Sequence, residues 1–427
     1  MNNEVRENRS PRIMFLCNFS NSLVREKVVL DTGIMRSVFY RLQHKPRYYE
    51  SDYAVWVSDY IEQFEQHPEF EFHIVAPMQG LKGESQQFEE NGIYYHFYNC
   101  SYGLFRSITN LTFNYEERRD YPTIRKRISK IRNKIKPDLV ILCGAENPFY
   151  SIGALDVTEC PVYVILQTLL NSPKRIEMGV GTPYKRKVEL EIFRYARYFC
   201  TSGEKTAQVI KGQNRKAEIL PAGFPTHRPI VEIPEKKDFD FVFFAKTVAP
   251  YKGVEDALKA LQIVKKTHRS VSLNIIGGIA ADYSERLTNL IVELGLNDNV
   301  HVAGQYKEIK ETFENVAKAK ATVLPGLTAA LNSTVRESML MGLPTICYEN
   351  GATIAINQDG ACLLLAPIGD INALAKQMLM VLEQETLTSE IAKRGKNYAE
   401  NTFSNESIVN KLLDNCAKII NIKQEND

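Results

Sequence analysis

Two lysines stand six residues apart in KTVAPYKG (246–253), directly after the apolar run FDFVFFA. A loop leading from a strand into a helix, with two cations beside free helix amides, suits a diphosphate. The plainer reading of the same loop is a solvated basic turn. Further on, Asn332, Ser333 and Thr334 supply N-cap chemistry ahead of a helical segment, and that helix start again offers amide donors to an anion. Glu337 is expected in the first turn of this helix. A carboxylate there accepts hydrogen bonds from vicinal hydroxyls such as those of a ribose, or else only complements the helix dipole. Between these segments, NIIGG (274–278) ends in two glycines that let a ligand approach the backbone. VAGQYKE (302–308) sets a strand-end glycine, Gly304, before the aromatic Tyr306, an edge that could meet a base. Neither IMFLCNFSNS nor NIIGGIAA supplies the G-x-G-x-x-G of a dinucleotide fingerprint, which counts against a dehydrogenase.

Such loops need elements to hold them. Short apolar runs alternate with amphipathic segments along the whole chain, the pattern of parallel α/β units. Strands are expected at 12–19, 70–77, 92–99, 138–144, 160–166, 198–202 and 217–223, and again from 239 onward at the starts of regular strand–helix pairs. The segment 221–238 holds four prolines and little periodicity, and marks a boundary. The predicted fold class is α/β, with two doubly wound Rossmann-like domains, 1–225 and 226–404, binding ligands in a cleft at the carboxyl ends of their strands.

At 427 residues the chain is too long for one ordinary core. A formal net charge of +2 gives no reason to expect nucleic acid as a partner. The eight cysteines are scattered with no C-x-x-C, which reads as reduced core thiols in a cytoplasmic protein. The polar start MNNEVRENRSPR is unlike a signal peptide, and the longest apolar runs are only strand-length. There is no Asp-x-Asp in a suitable strand context, and no metal or other cofactor is expected.

Taken in order, AKTVAPYKG, IIGG, LGLNDNVHVAG, PGLTAALNSTVRE, ESMLMGLPTICYENG and DGACLLLAPIGD resemble the nucleotide-sugar half of glycosyltransferase family 4. The resemblance covers residues 240–405. It implies a retaining enzyme of GT-B fold, whose C-terminal helix, 405–427, packs back on the first domain. It also implies that Lys246 and Lys252, with the helix start at Asn332–Thr334, hold a donor diphosphate. Glu337 would bind the nucleotide ribose, and the backbone from Gly304 to Tyr306 would meet the base. The family's first Glu, which contacts the transferred sugar, is replaced by Ala329, and its G-F-G by Ala330-Leu331-Asn332. The expected donor is therefore a nucleotide sugar, and the acceptor a glycan or lipid-linked glycan. A non-catalytic nucleotide-binding partner of a glycan assembly complex is the alternative that Ala329 raises. Another GT-B enzyme, such as an epimerase, lacks the pair of acid/base residues it would need.

In the first half, KPDLVILCGAENPFYSIGAL and CPVYVILQTLLN are similar to acceptor-side strands of capsule and lipopolysaccharide members of that family. Glu146 and Gln167 would then face the acceptor. Glu146 could equally cap a helix together with Asn147-Pro148. The loop NFSNSLVREK lacks the family's Gly-Gly, and the aromatic and basic stretch 24–51 has no assigned role. RRDYPTIRKRISKIRNKIK (118–136) holds nine Lys or Arg and one Asp, around isoleucines at helical spacing. Its cations either face solvent or meet an anionic membrane, which would place a cytoplasmic protein on the inner face of that membrane.

Overall fold

The computed structural model describes residues 9–30, 52–101, 115–166, 168–177, 179–201, 203–327 and 331–426. Gln167, Ala329, Ala330 and most of the 24–51 stretch lie outside the described residues. The chain divides into two units: residues 1–225 with 405–427, and residues 226–404.

The first unit is built on strands Arg12–Leu16 (β1), Glu71–Met78 (β2), Ser85–Glu90 (β3), Ile93–Asn99 (β4), Leu139–Cys143 (β5), Val162–Ile165 (β6), Tyr198–Cys200 (β7) and Glu218–Ile219 (β8). Their order is β3-β4-β2-β1-β5-β6-β7-β8, all parallel except the β3–β4 pair. LVILC makes a central strand because every one of its residues is buried, as helices on both faces of a parallel sheet require. The antiparallel edge β3, SQQFEE, is an element that apolar runs do not announce: its residues alternate between exposed and half-buried.

The isoleucine stripe of the Pro122–Ile135 helix, Ile124, Ile128, Ile131 and Ile135, is buried against the sheet. Four of that helix's cations are engaged within the unit. Arg125 pairs with Asp156, Lys130 with Glu84 and Arg132 with Glu159, and Arg127 donates to the Asn99 carbonyl. The C-terminal helix Asn405–Asn426 packs on the Val55–Phe64 helix, with Val409, Leu412, Cys416 and Ile419 fully buried beside Phe15, Tyr60 and Phe64. Asn415 Nδ2 reaches the Leu220 carbonyl at 3.3 Å and the Tyr163 hydroxyl at 3.2 Å.

The second unit carries six parallel strands: Phe239–Val248 (β9), Leu273–Ile279 (β10), Val300–Gly304 (β11), Ala319–Leu324 (β12), Thr345–Tyr348 (β13) and Leu364–Ala366 (β14). Their order is β11-β10-β9-β12-β13-β14. Written in order of appearance this is 3-2-1-4-5-6, the doubly wound order of a Rossmann domain. Strand β9 runs further than its apolar residues suggest. Thr247 and Val248 still pair with Gly278 and Ile279, so Lys246 lies on the strand rather than in the loop after it.

Candidate functional site

In a doubly wound sheet the chain leaves the first and fourth strands in opposite directions, and the gap that opens at their carboxyl ends is where ligands bind. In the second unit those strands are β9 and β12. The loop after β9 closes with the turn Pro250–Lys252 and enters the Val254–Lys265 helix through Gly253. Two contacts lace this loop to the one after β12. Leu327 N–H donates to the Tyr251 carbonyl at 3.1 Å, and Gly253 lies so close that a Cβ there would stand 1.9 Å from the Pro325 carbonyl oxygen. Gly253 also holds φ at +83°, a left-handed conformation that glycine adopts without steric cost. On the other side of β9, Gly277 serves the same end. Its φ is +140°, and a Cβ there would meet the Ala245 carbonyl oxygen at 1.9 Å.

These close approaches bring the predicted diphosphate residues to one edge. Lys252 is half-buried, with its Nζ 5.6 Å from the centre of the Tyr251 ring, and Lys246 is exposed at the end of β9. The Ser333–Met341 helix starts from Asn332, whose side chain makes no cap bond. That side chain turns back over Gly326 instead, where a Cβ would meet its Nδ2 at 2.5 Å. Among the described residues no acceptor faces the amides of Ser333 and Thr334, so this helix start has donors to offer an anion.

Glu337 is a correction. It lies in the second turn, not the first, because the helix begins at Ser333. Glu337 follows Ser333 by four residues and Thr334 by three, so all three share a face, and helical side chains lean toward the N-terminus. The buried face of the same helix is Val335, Ser338, Met339, Leu340 and Met341. At the end of β11, Gly304 has φ +77° and open space where a Cβ would be, while Tyr306 is half-buried and packs partly against the core.

The first unit has its own crossing point, between β1 and β5. Gly144, Ala145 and Glu146 leave β5 there, with Gly144 N–H bonded to the Ile165 carbonyl of β6 at 2.9 Å. Asn147, not Glu146, caps the helix that follows, accepting the Phe149 N–H at 3.2 Å. Glu146 is half-buried as a residue, but its Oε2 is fully buried and makes no hydrogen bond. Burial is the first cause that pushes its carboxyl up from the ordinary 4.5 to about 7, and the nearby Glu189 adds to it.

Glu189 was not singled out from the sequence. It is fully buried, accepting N–H bonds from Leu170 and Asn171 at 2.9 Å each, and burial raises its carboxyl as well. A signal for it exists: it occupies a core position beside Val188, Ile192 and Phe193 on an otherwise amphipathic helix.

A carboxyl raised in this way makes folding pH-dependent. The neutral form is the one the fold favours, so its contribution is complete below pH 4.5 and is lost as the pH rises through about 7. Glu146→Gln is expected to be more stable relative to the parent at pH 8 than at pH 4, by roughly 1–3 kcal/mol. Denaturant unfolding at the two pH values checks this. An identical difference at both would show that Glu146 ionises normally.

Structures of known proteins place this architecture. The chain has the GT-B fold, two parallel-sheet Rossmann-like units, as in the sucrose-phosphate synthase of Thermosynechococcus elongatus. That structure is 15% identical with a TM-score of 0.67, over 97% of this chain and all of that one. The HepE protein of Anabaena, in complex with UDP and glucose, matches at 15% identity and a TM-score of 0.65, over 96% of this chain and 100% of that one. Residues 225–401 match the family described as Glycosyl transferases group 1. The amylovoran biosynthesis glycosyltransferase AmsK of Erwinia amylovora is 26% identical over 169 residues, 38% of this chain. The match spans 41% of the length of AmsK.

Proposed function

We propose that the protein is a glycosyltransferase that moves a sugar from a nucleoside diphosphate sugar to a glycan or lipid-linked glycan, with retention at the anomeric carbon. The observation that carries this reading is the laced pair of loops at the β9/β12 crossing, one carrying Lys252 and the other leading to a helix start with open amides. The match of residues 225–401 to the Glycosyl transferases group 1 family supports it. In the reaction the acceptor oxygen bonds the anomeric carbon as the bond to the diphosphate breaks, and the hydroxyl proton passes to the leaving diphosphate. Lys246, Lys252 and the amides of Ser333 and Thr334 offset the charge that develops on that diphosphate, without a metal ion. Glu337 takes the ribose hydroxyls, and Gly304 and Tyr306 border the base. Glu146 and Gln167 serve the acceptor.

Turnover of a panel of nucleotide sugars tests the reading, with Glu337→Gln beside the parent. Release of nucleoside diphosphate from one donor is expected, and Glu337→Gln should raise the nucleotide Kd about tenfold by weakening a hydrogen-bond acceptor. A second reading rests on Ala329, which stands where a sugar-contacting carboxylate would be: a binding protein in a glycan assembly complex. Tight nucleotide binding with no turnover of any donor decides for it. Unchanged affinity in Glu337→Gln removes the ribose role.

A membrane-facing role for the 118–136 segment falls to the cations its ion pairs do not use. Lys126, Lys134 and Lys136 are exposed, whereas Arg125, Lys130 and Arg132 hold carboxylates of their own unit. Binding to vesicles of anionic lipid should weaken several-fold in a Lys126→Glu, Lys134→Glu, Lys136→Glu variant, and with added salt. Equal co-sedimentation of variant and parent would leave these lysines as a solvated face.

A further inference from the structure

The helices Pro122–Ile135 and Pro183–Tyr195 lead into the parallel strands β5 and β7, so both begin at the carboxyl end of the first unit's sheet. The short helix Pro148–Ser151 leaves β5 at that same end, just after Glu146. Each of the three starts carries an aromatic side chain, and these meet. The Tyr121 ring lies 5.4 Å from that of Phe149 and 5.8 Å from that of Tyr184. Tyr121 is buried, whereas Phe149 and Tyr184 are half-buried. The turn beneath them is an unusual one: Asp120 and Tyr121 both hold left-handed backbone, with φ of +55° and +53°. That conformation is costly for a side chain as bulky as tyrosine, and the Tyr121 N–H is tied to the Glu116 carbonyl at 2.7 Å to keep it.

Two charged side chains border these rings. The Tyr184 hydroxyl donates to Asp120 Oδ1 at 3.2 Å, and Lys187 Nζ stands 3.6 Å from the same oxygen and 5.8 Å from the centre of the Tyr184 ring. Both contacts fall on Oδ1, and Asp120 Oδ2 makes none among the described residues. The Lys187 ammonium is 3.6 Å from Glu191 as well, too far from either acid for a hydrogen bond. The Asp120 side chain is 45% exposed and that of Lys187 55%, so the free acceptor and the free donors are within reach of a solute. The electron-rich face of an aromatic ring attracts C–H groups, a carboxylate oxygen accepts from a hydroxyl, and an ammonium donates to one. The carboxylate and the ammonium cancel in charge, which favours an uncharged ligand over an ion. A molecule with an apolar C–H face and hydroxyls along its rim is a sugar ring.

We propose that Phe149, Tyr184, Asp120 and Lys187 form a sugar subsite of the first unit, where an uncharged pyranose lays a C–H face on the aromatic side chains and sets neighbouring hydroxyls against Asp120 Oδ2 and the Lys187 ammonium. This rests on the reading of the first unit as the acceptor side, and it gives the acceptor glycan an uncharged residue held by stacking. Tyr184 serves twice, as a face for the ring and as the donor that fixes Asp120 Oδ1 and leaves Oδ2 for the ligand.

The test titrates methyl β-glucoside, methyl β-galactoside and methyl α-mannoside by saturation-transfer NMR, with sorbitol as a polyol that has the hydroxyls but no ring face. At least one glycoside is expected to bind about tenfold tighter than sorbitol. Tyr184→Ala should abolish that preference, and Asp120→Asn/Lys187→Gln, which alters only exposed side chains, should cut it about fivefold. Tyr184→Phe keeps the ring and is expected within about threefold of the parent, whereas a tyrosine needed only for its bond to Asp120 would fail as Tyr184→Ala does. The nucleoside diphosphate affinity of the Asp120→Asn/Lys187→Gln protein should match the parent's. No glycoside ahead of sorbitol, or a preference that survives both Tyr184→Ala and the double substitution, overturns the inference. Turnover of a nucleotide sugar with no glycoside preference removes the subsite alone. The preference with no turnover of any donor supports the subsite and removes the transferase reading instead.

Discussion

Lys252→Ala is expected to bind nucleoside diphosphates about 10- to 150-fold more weakly than the parent. Lys252 is a half-buried residue on the loop laced to the β12 exit, and that exit leads to a helix start whose first amides have no acceptor among the described residues. A charge-assisted contact in such a setting contributes roughly 1.5–3 kcal/mol. Lys246→Ala should lose less, because Lys246 is exposed and solvent screens it. Titration of a nucleoside diphosphate into each variant measures both. Parent-like affinity in the two would move the diphosphate away from this crossing point.

The second large effect belongs to a residue with no charge. Gly253→Ala puts a methyl group where the Pro325 carbonyl oxygen stands, at a backbone φ of +83°. Neither partner is a flexible side-chain end, so the two loops must part. The strain and the overlap together should cost roughly 2–4 kcal/mol of stability in the second unit. Nucleotide binding should fall with it, since the same contact holds the Lys252 loop to the loop that leads into the Ser333–Met341 helix. Thermal unfolding and nucleotide titration read the two effects separately. A Gly253→Ala protein with parent-like melting and affinity would show that the loops are not held by this contact.

Much of this architecture was legible in the residues. Runs such as LVILC and FVFFA need burial on both faces, and a parallel sheet with helices on each side offers that. The isoleucines of 124–135 marked a buried stripe for the same reason. What escaped lies where neighbours distant in the chain decide the outcome. SQQFEE has no apolar face and becomes a strand only because Ile93–Asn99 offers it an edge. β9 continues through Val248 because Gly278 and Ile279 are there to pair with it. The cations of the Pro122–Ile135 helix read as one basic face, yet Asp156, Glu84 and Glu159 claim three of them from other elements. Glu337 moved by a turn because the cap fell at Asn332, and helix ends are set by such local competition rather than by periodicity. Glu189 hid among apolar neighbours, since its partners, the Leu170 and Asn171 amides and the Asn171 side chain, lie in a distant loop.

The helix Asn405–Asn426 has a consequence in time. Its apolar residues fill a core otherwise made by strands and helices from the chain's first half, and residues 226–404 intervene. On a ribosome adding about 5–20 residues per second, that interval takes on the order of 10–40 s. Through it the first sheet stands with one wall missing, and Phe15, Tyr60 and Phe64 await Leu412 and Ile419. The second unit, contiguous in the chain, has every strand and helix it needs before the first can close. The unit begun first is therefore the one whose core residues are synthesised last, and its apolar side chains lack their cover until that helix is made.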